Sequence, residues 1–194
     1  MGGGPVAGLW LAEERGVLDA LPWLEGFCDV RAGAGDGEWL EIHVRRPSAL
    51  GLHALPHPAP GAFHLGPESL EDYRELGFPG LDRPPVAQLA LLSPRSGREN
   101  HLLLGHLALF LAERFDALVD FDGLLGQPAS LDDDLPVEEE AVRLAEARRL
   151  VSSLPGRVWE MPYATYGGGC WYSHVGDRTF LAAWLRHPDF RMLP

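Results

Sequence analysis

The chain of 194 residues contains no lysine, one isoleucine (Ile42), one asparagine (Asn100) and two cysteines, Cys28 and Cys170. Each scarcity excludes something. Without lysine there is no Schiff-base chemistry, no lysine general base and no lysine phosphate clamp; every fixed positive charge is an arginine. The bias suggests a GC-rich bacterial genome. Two cysteines cannot build a disulfide framework. No charged segment followed by an apolar one opens the chain, the start Met1-Gly2-Gly3-Gly4-Pro5-Val6 lacks the Ser or Thr of a myristoylation signal, and the apolar run Leu102–Ala112 is too short to span a bilayer. A cytoplasmic protein with no membrane role is expected.

Sixteen arginines against twenty-eight acids give a net charge of −12. A charge of that sign excludes a nucleic-acid surface spread over the whole domain, although a local arginine patch is compatible with it. The length suits one domain, 1–194, which would bury roughly 70% of the surface its unfolded chain exposes.

What is present centres on Val86–Leu125, which reads as strand, helix, strand. Ser93-Pro94 closes the first apolar run, and Ser96 with Glu99 has the spacing of a capping box that would start a helix near Gly97. From Leu102 to Ala112 only Gly105 and His106 interrupt the apolar residues, so this helix, at about 97–115, must be covered on most sides. After Asp116 the run Ala117-Leu118-Val119 returns as a buried strand.

Elsewhere, Val6–Leu11 reads as a strand and Glu13–Leu21 as a short helix or turn closed by Pro22. Phe27–Arg31 and Glu38–Val44 flank the glycine-rich Ala32–Gly37, and the alternation of Trp39, Glu41 and His43 with Leu40, Ile42 and Val44 predicts a half-buried hairpin strand. Eight of the seventeen prolines lie between Pro47 and Pro85, a stretch that reads as a surface excursion at about 47–85 holding one short helix at Leu70, Tyr73 and Leu76. Gly126–Asp134 reads as a loop. A helix over Val137–Ser153 is expected to bury Val137, Ala141, Leu144 and Val151, and its acids at the start and arginines at the end suit its dipole. Val158–Thr165 and Trp171–Val175 predict a hairpin through Tyr166–Gly169, Asp177 predicts the cap of a last helix stopped by His187-Pro188, and Phe190–Leu193 a final strand. The sum is an α+β domain: a mostly antiparallel sheet, a buried central helix and two further helices.

Several patterns suggest chemistry. Leu118–Gly123 ends an apolar strand in D-x-D-G, the way phosphatases of the haloacid dehalogenase type present two carboxylates about 7 Å apart. Leu124 stands where those enzymes have threonine, and no lysine exists to meet the phosphate, so a structural turn is the better reading. His101 and His106 are about 140° apart around a helix and cannot share a metal. His53, His57 and His64 lack a neighbouring cysteine or carboxylate pattern, and Cys170 and His174 would stand about 13 Å apart on a strand. Gly167–Gly169 lacks the Lys-Ser/Thr of a phosphate loop. No metal and no cofactor are expected. Nine acids and no arginine lie between Asp116 and Glu140, so Asp132, Asp133, Asp134, Glu138 and Glu139 form a candidate partner-binding face for a basic protein, or else a solvated loop and helix start.

The segments His101–Ala112, Ala117–Phe121, Leu154–Gly156, Met161–Tyr163 and His174–Met192 are similar to an uncharacterised actinobacterial domain family whose members resemble, in size and setting, immunity proteins of polymorphic toxin systems. The likeness covers about Val86–Leu193 and is most specific in its last twenty residues. It implies a non-enzymatic protein that binds and neutralises a cognate toxin, and it carries no catalytic residues. The alternative is a small enzyme whose pocket gathers His101, Asp120, His174, Asp177 and His187; against it, Asp177 reads better as an N-cap, His187 as a helix stop and His101 as a first-turn polar residue.

Overall fold

A computed structural model describes residues 4–33, 39–59, 61–126, 137–164 and 169–193. The strands are β1 (Val6–Leu11), β2 (Cys28–Ala32), β3 (Leu40–Val44), β4 (Phe63–Glu68), β5 (Ala87–Leu92), β6 (Leu118–Asp120), β7 (Val158–Ala164) and β8 (Cys170–Gly176). The helices are α1 (Leu21–Leu24), α2 (Glu71–Arg74), α3 (Arg98–Phe115), α4 (Val137–Ser152) and α5 (Arg178–Trp184). The strands form one sheet in the order β2-β3-β4-β5-β1-β6-β8-β7, and every neighbouring pair is antiparallel. The fold is the expected α+β arrangement around a central helix.

Alternation along the strands creates two unlike faces. One carries Ala7, Leu9, Leu11, Ile42, Phe63, Leu65, Leu91 and Val119, all buried, and α3 lies on it with Leu103, Leu104, Leu107, Ala108, Leu111 and Ala112. Side chains from elsewhere flank the helix: Phe27 meets Phe110 edge-on at 4.8 Å and Trp23 meets Phe115 at 5.0 Å. Gly105 is a contact point, because a Cβ there would come within 2.8 Å of Leu185 and Phe190. Its smallness lets α5 and the C-terminal segment close over α3.

The opposite face is only partly covered. There α2 and the residues after it bring Leu70, Tyr73, Phe78 and Leu81 against Trp10, Met161 and Val175, a second and smaller apolar cluster. Trp10 meets Tyr73 and Phe78 edge-on at 4.8 and 5.4 Å.

Local expectations differ from the structure at several points. The capping box does not form: Gly97 is the N-cap of α3 without a side-chain bond, and Ser96 Oγ instead lies 3.2 Å from His101 Nε2. Pro22 does not close a helix but sits in the first turn of α1, where its missing N–H costs nothing. The proline-rich stretch contains β4, with Phe63 and Leu65 wholly buried. Pro67 is tolerated in this strand because the pairing of β4 with β3 covers only Phe63–Leu65, so no ladder partner on that side needs its N–H. In α4 it is Ala147 that is buried, with Leu144 and Val151 half-buried, while Ala141 is exposed and the side chain of Val137 lies outside the described residues. Phe190–Leu193 is not a strand, although Leu193 O accepts from Val6 N at 2.8 Å. Beyond Gly126, the expected loop to Asp134 lies outside the described residues, as do 165–168 of the β7–β8 connection.

Candidate functional site

The polar centre of the molecule is Asp120, the last residue of β6. Strand alternation sends Val119 to the α3 side and Asp120 to the other, where it stands opposite Gly8 of β1 and Val175 of β8. Gly8 makes the room: a Cβ there would lie 3.0 Å from Asp120 Cβ and 2.9 Å from Gln88 Nε2. Asp120 is 2% exposed and accepts three hydrogen bonds. The Tyr73 hydroxyl donates to Oδ2 at 2.7 Å, and the Ser173 hydroxyl and Asp122 N–H donate to Oδ1 at 2.5 and 3.0 Å.

The D-x-D-G segment is thereby wound into a turn and fastened to β8. Asp122 is left-handed (φ 57°), Gly123 N donates to Ser173 Oγ at 3.0 Å, Phe121 N to His174 O and His174 N to Gly123 O, both at 3.0 Å. Strand β6 runs antiparallel to both neighbours, unlike the parallel sheet of the phosphatases, so the motif serves the turn reading.

Three carboxyl groups meet here. Burial raises the pKa of Asp120 despite the hydrogen bonds from Ser173 and Tyr73 that favour its charge. Asp122, at the open rim, is pushed up to about 7 by desolvation and then by the charges of Asp120 and Glu68. Glu68 is raised by desolvation, against the opposing effect of Gln88, whose Nε2 donates to its Oε2 at 2.6 Å. Burial, followed by the charge of Asp120, raises the Tyr73 phenol, so it remains a donor.

Two buried atoms beside this cluster lack partners among the described residues, Gln88 Oε1 and Trp10 Nε1, which belong to cross-strand neighbours. Trp10 Nε1 is near enough to favour the charged form of Asp120 but outside hydrogen-bond geometry. The cluster thus offers an acceptor, a donor and a carboxyl group that titrates near neutrality. Among the described residues no group of three or more His, Cys, Asp or Glu side chains is arranged to hold a metal ion.

The other four residues of the expected pocket do not join Asp120. His174 adjoins Val175 on β8 and therefore faces the opposite side of the sheet; its Nδ1 accepts from Leu125 N at 3.0 Å, and burial lowers its pKa to about 4. Asp177 caps α5, Oδ1 accepting from Phe180 N at 2.8 Å and Oδ2 from Arg157 N at 3.0 Å. His101 Nδ1 accepts from Met192 N at 3.1 Å and ties α3 to the C-terminal segment. His187 stacks on Trp184 at 5.0 Å and accepts from Asp189 N at 3.2 Å. Each of these four serves the chain around it. Of the acidic partner-binding residues, Asp132, Asp133 and Asp134 and the side chain of Glu138 lie outside the described residues, while Glu139 is exposed and pairs with Arg143 at 2.8 Å.

Sequence reading missed Gln88, Glu68, Tyr73 and Ser173. The signal for Glu68, Gln88 and Ser173 was polarity within a strand and for Tyr73 its helical spacing, and nothing local told which elements were neighbours. It also missed a cleft over β2 and β3 lined by Glu41 and His43, although the alternation of that strand had placed both on one face.

No helix among the described residues is long and apolar enough to cross a membrane. No curated protein and no solved structure matches the chain. A family model does, over residues 3–194, and the chain belongs to that family of unknown function, DUF6368.

Proposed function

We propose that this chain is a non-enzymatic binding protein of the immunity type, which neutralises a cognate bacterial toxin by covering its active surface. One observation carries the reading. With twenty-eight acids against sixteen arginines the chain carries an excess of twelve acids, and nine of the acids lie between Asp116 and Glu140. Within that stretch Asp116 is met by Arg83 and Arg178, Asp120 is buried, and Glu139 is met by Arg143. The proposed contact residues are Asp132, Asp133 and Asp134, with Glu138 and Glu139 beside them in sequence; Glu139, exposed but bonded to Arg143, is the least available of the five. A basic toxin surface would be steered by this field, and buried anchors would hold the complex.

The test is to co-purify the product of a neighbouring toxin gene and measure association by surface plasmon resonance at low and high salt. Replacing Asp132, Asp133 and Asp134 with Asn should slow association several-fold at low salt, and less at 1 M, where the Debye length is ~3 Å. An unchanged rate at both salts removes these residues from the interface. Failure to bind any neighbouring gene product counts against immunity as a whole.

A small enzyme is the second reading, favoured by the carboxyl group of Asp122 poised near 7 beside Asp120. It would draw on Asp120 and Asp122, whereas His101, His174, Asp177 and His187 are held by backbone partners away from that cluster.

A further inference from the structure

The uncovered half of the second sheet face holds a cleft of about 600 Å³. Its floor is built by strand register: Arg31 of β2 stands opposite Glu41 of β3, Asp29 opposite His43, and Glu41 opposite His64 of β4. Directly opposed residues share a face, so their side chains project together towards solvent. Arg95, from the segment after β5, lines the same cleft.

The charges divide unequally. Glu41 Oε1 lies 2.6 Å from His43 Nε2, and this hydrogen bond, the leading influence on the group, lowers the Glu41 pKa. Asp29 Oδ1 lies 2.9 Å from Arg45 Nε, and Arg45 also donates to the carbonyl oxygens of Glu25 and Cys28, each at 3.1 Å. Both acids of the cleft thus have a cationic or proton-donating partner. Arg31 and Arg95 do not: among the described residues neither guanidinium forms a hydrogen bond or ion pair, and both side chains are exposed. Two arginines without a contact partner lining one cleft, Arg31 with only the charge of Glu41 across the strands acting on it, go against the charge of a chain at −12. The His43 ring, turned by its Nε2 contact with Glu41, keeps Nδ1 for a further partner.

We propose that this cleft is a binding site for a dianionic phosphoryl group, free or as a monoester, with Arg31 and Arg95 as its two forks and His43 beside them. The charge decides the ligand class. Two guanidinium groups match a dianionic phosphoryl group, which offers three acceptor oxygens in the geometry that paired N–H donors prefer; a carboxylate brings one charge and two oxygens. The site is independent of the toxin-binding reading, since it uses none of the acids proposed for that contact.

The test titrates the intact, isotopically labelled protein with inorganic phosphate, ribose 5-phosphate and adenosine 5′-monophosphate, with acetate as the carboxylate control, and follows backbone amide shifts alongside calorimetry. Saturable binding of phosphate or either ester, with the largest shifts at Arg31, His43 and Arg95, is the expected result. Binding of inorganic phosphate alone assigns the site to the free ion, and tighter binding of an ester assigns it to an esterified ligand; both support the phosphoryl class. Arg31→Gln and Arg95→Gln should each weaken binding about tenfold, while Arg83→Gln, outside the cleft, should not. No saturable binding of any phosphoryl compound, binding of acetate equal to that of phosphate, or shifts confined to other surfaces would overturn the assignment. The shift map on the unaltered protein decides the matter even if a variant fails to fold.

Discussion

The Tyr73 hydroxyl donates to Asp120 Oδ2 at 2.7 Å, joining the short helix α2 to the middle of the sheet across forty-seven positions of sequence. Tyr73 also stands edge-on to Trp10, so one side chain closes the second apolar cluster and caps a buried carboxylate.

Tyr73→Phe should therefore cost more than a surface change. It keeps the ring contact with Trp10 and leaves a buried acceptor short of one donor, a loss of about 1–3 kcal/mol. Urea denaturation followed by tryptophan fluorescence will read it. An unchanged midpoint would mean that the hydroxyl contributes nothing to Asp120.

The pH dependence of stability has two opposing parts. Asp122 has a folded pKa near 7, above its unfolded value, so its contribution is full at low pH and declines as pH rises through about 7. His174 has a folded pKa near 4, below its unfolded value, and His101 and His106 are lowered as well; their contributions are full above the unfolded histidine pKa and decline as pH falls. Between pH 4 and 7 the two oppose each other. Asp122→Asn removes the first part and should make stability climb more steeply with pH across that window. Denaturation midpoints at pH 4.5, 5.5 and 6.5 in both proteins will show the slopes, and identical slopes would contradict the assignment.

Leu107 is wholly buried under the sheet, and Leu107→Asp should abolish the cooperative transition, because an unpaired charge cannot be accommodated there. Phe110→Asp should destabilise less, since Phe110 is half-buried between Phe27 and the Arg114 guanidinium, 3.4 Å from its ring. Thermal melts by circular dichroism will rank the two, and an unchanged melt for Leu107→Asp would misplace the core.

Metal analysis of the purified protein is expected to find less than stoichiometric zinc or magnesium, because the histidine and cysteine spacings give no usable ligand set. A whole equivalent that survives dialysis against a chelator would reverse that expectation.

Much of the architecture was local in origin and so legible in the sequence. Apolar runs and their period gave α3, the alternation at 39–44 gave β3, and the Asp177 cap gave the start of α5, because each depends on residues within a turn or two of one another. Strand β4 was hidden by Pro67 and by the prolines that precede it; the cost of Pro67 depends on whether a neighbouring strand needs the missing N–H, and neighbours are not written locally. The same holds for the sites. The sequence marked Asp120 and His174 as members of one candidate pocket, but their sides of the sheet followed from β6 pairing Asp120 with Val175, the residue after His174. Register put Ser173 beside Asp120, the packing of α2 on the sheet brought Tyr73 to it, and register again set Arg31 beside Glu41. Composition determined the charge and the absence of lysine; only the long-range pairing of strands decided which charges meet, because a one-residue shift in register sends a side chain to the other face.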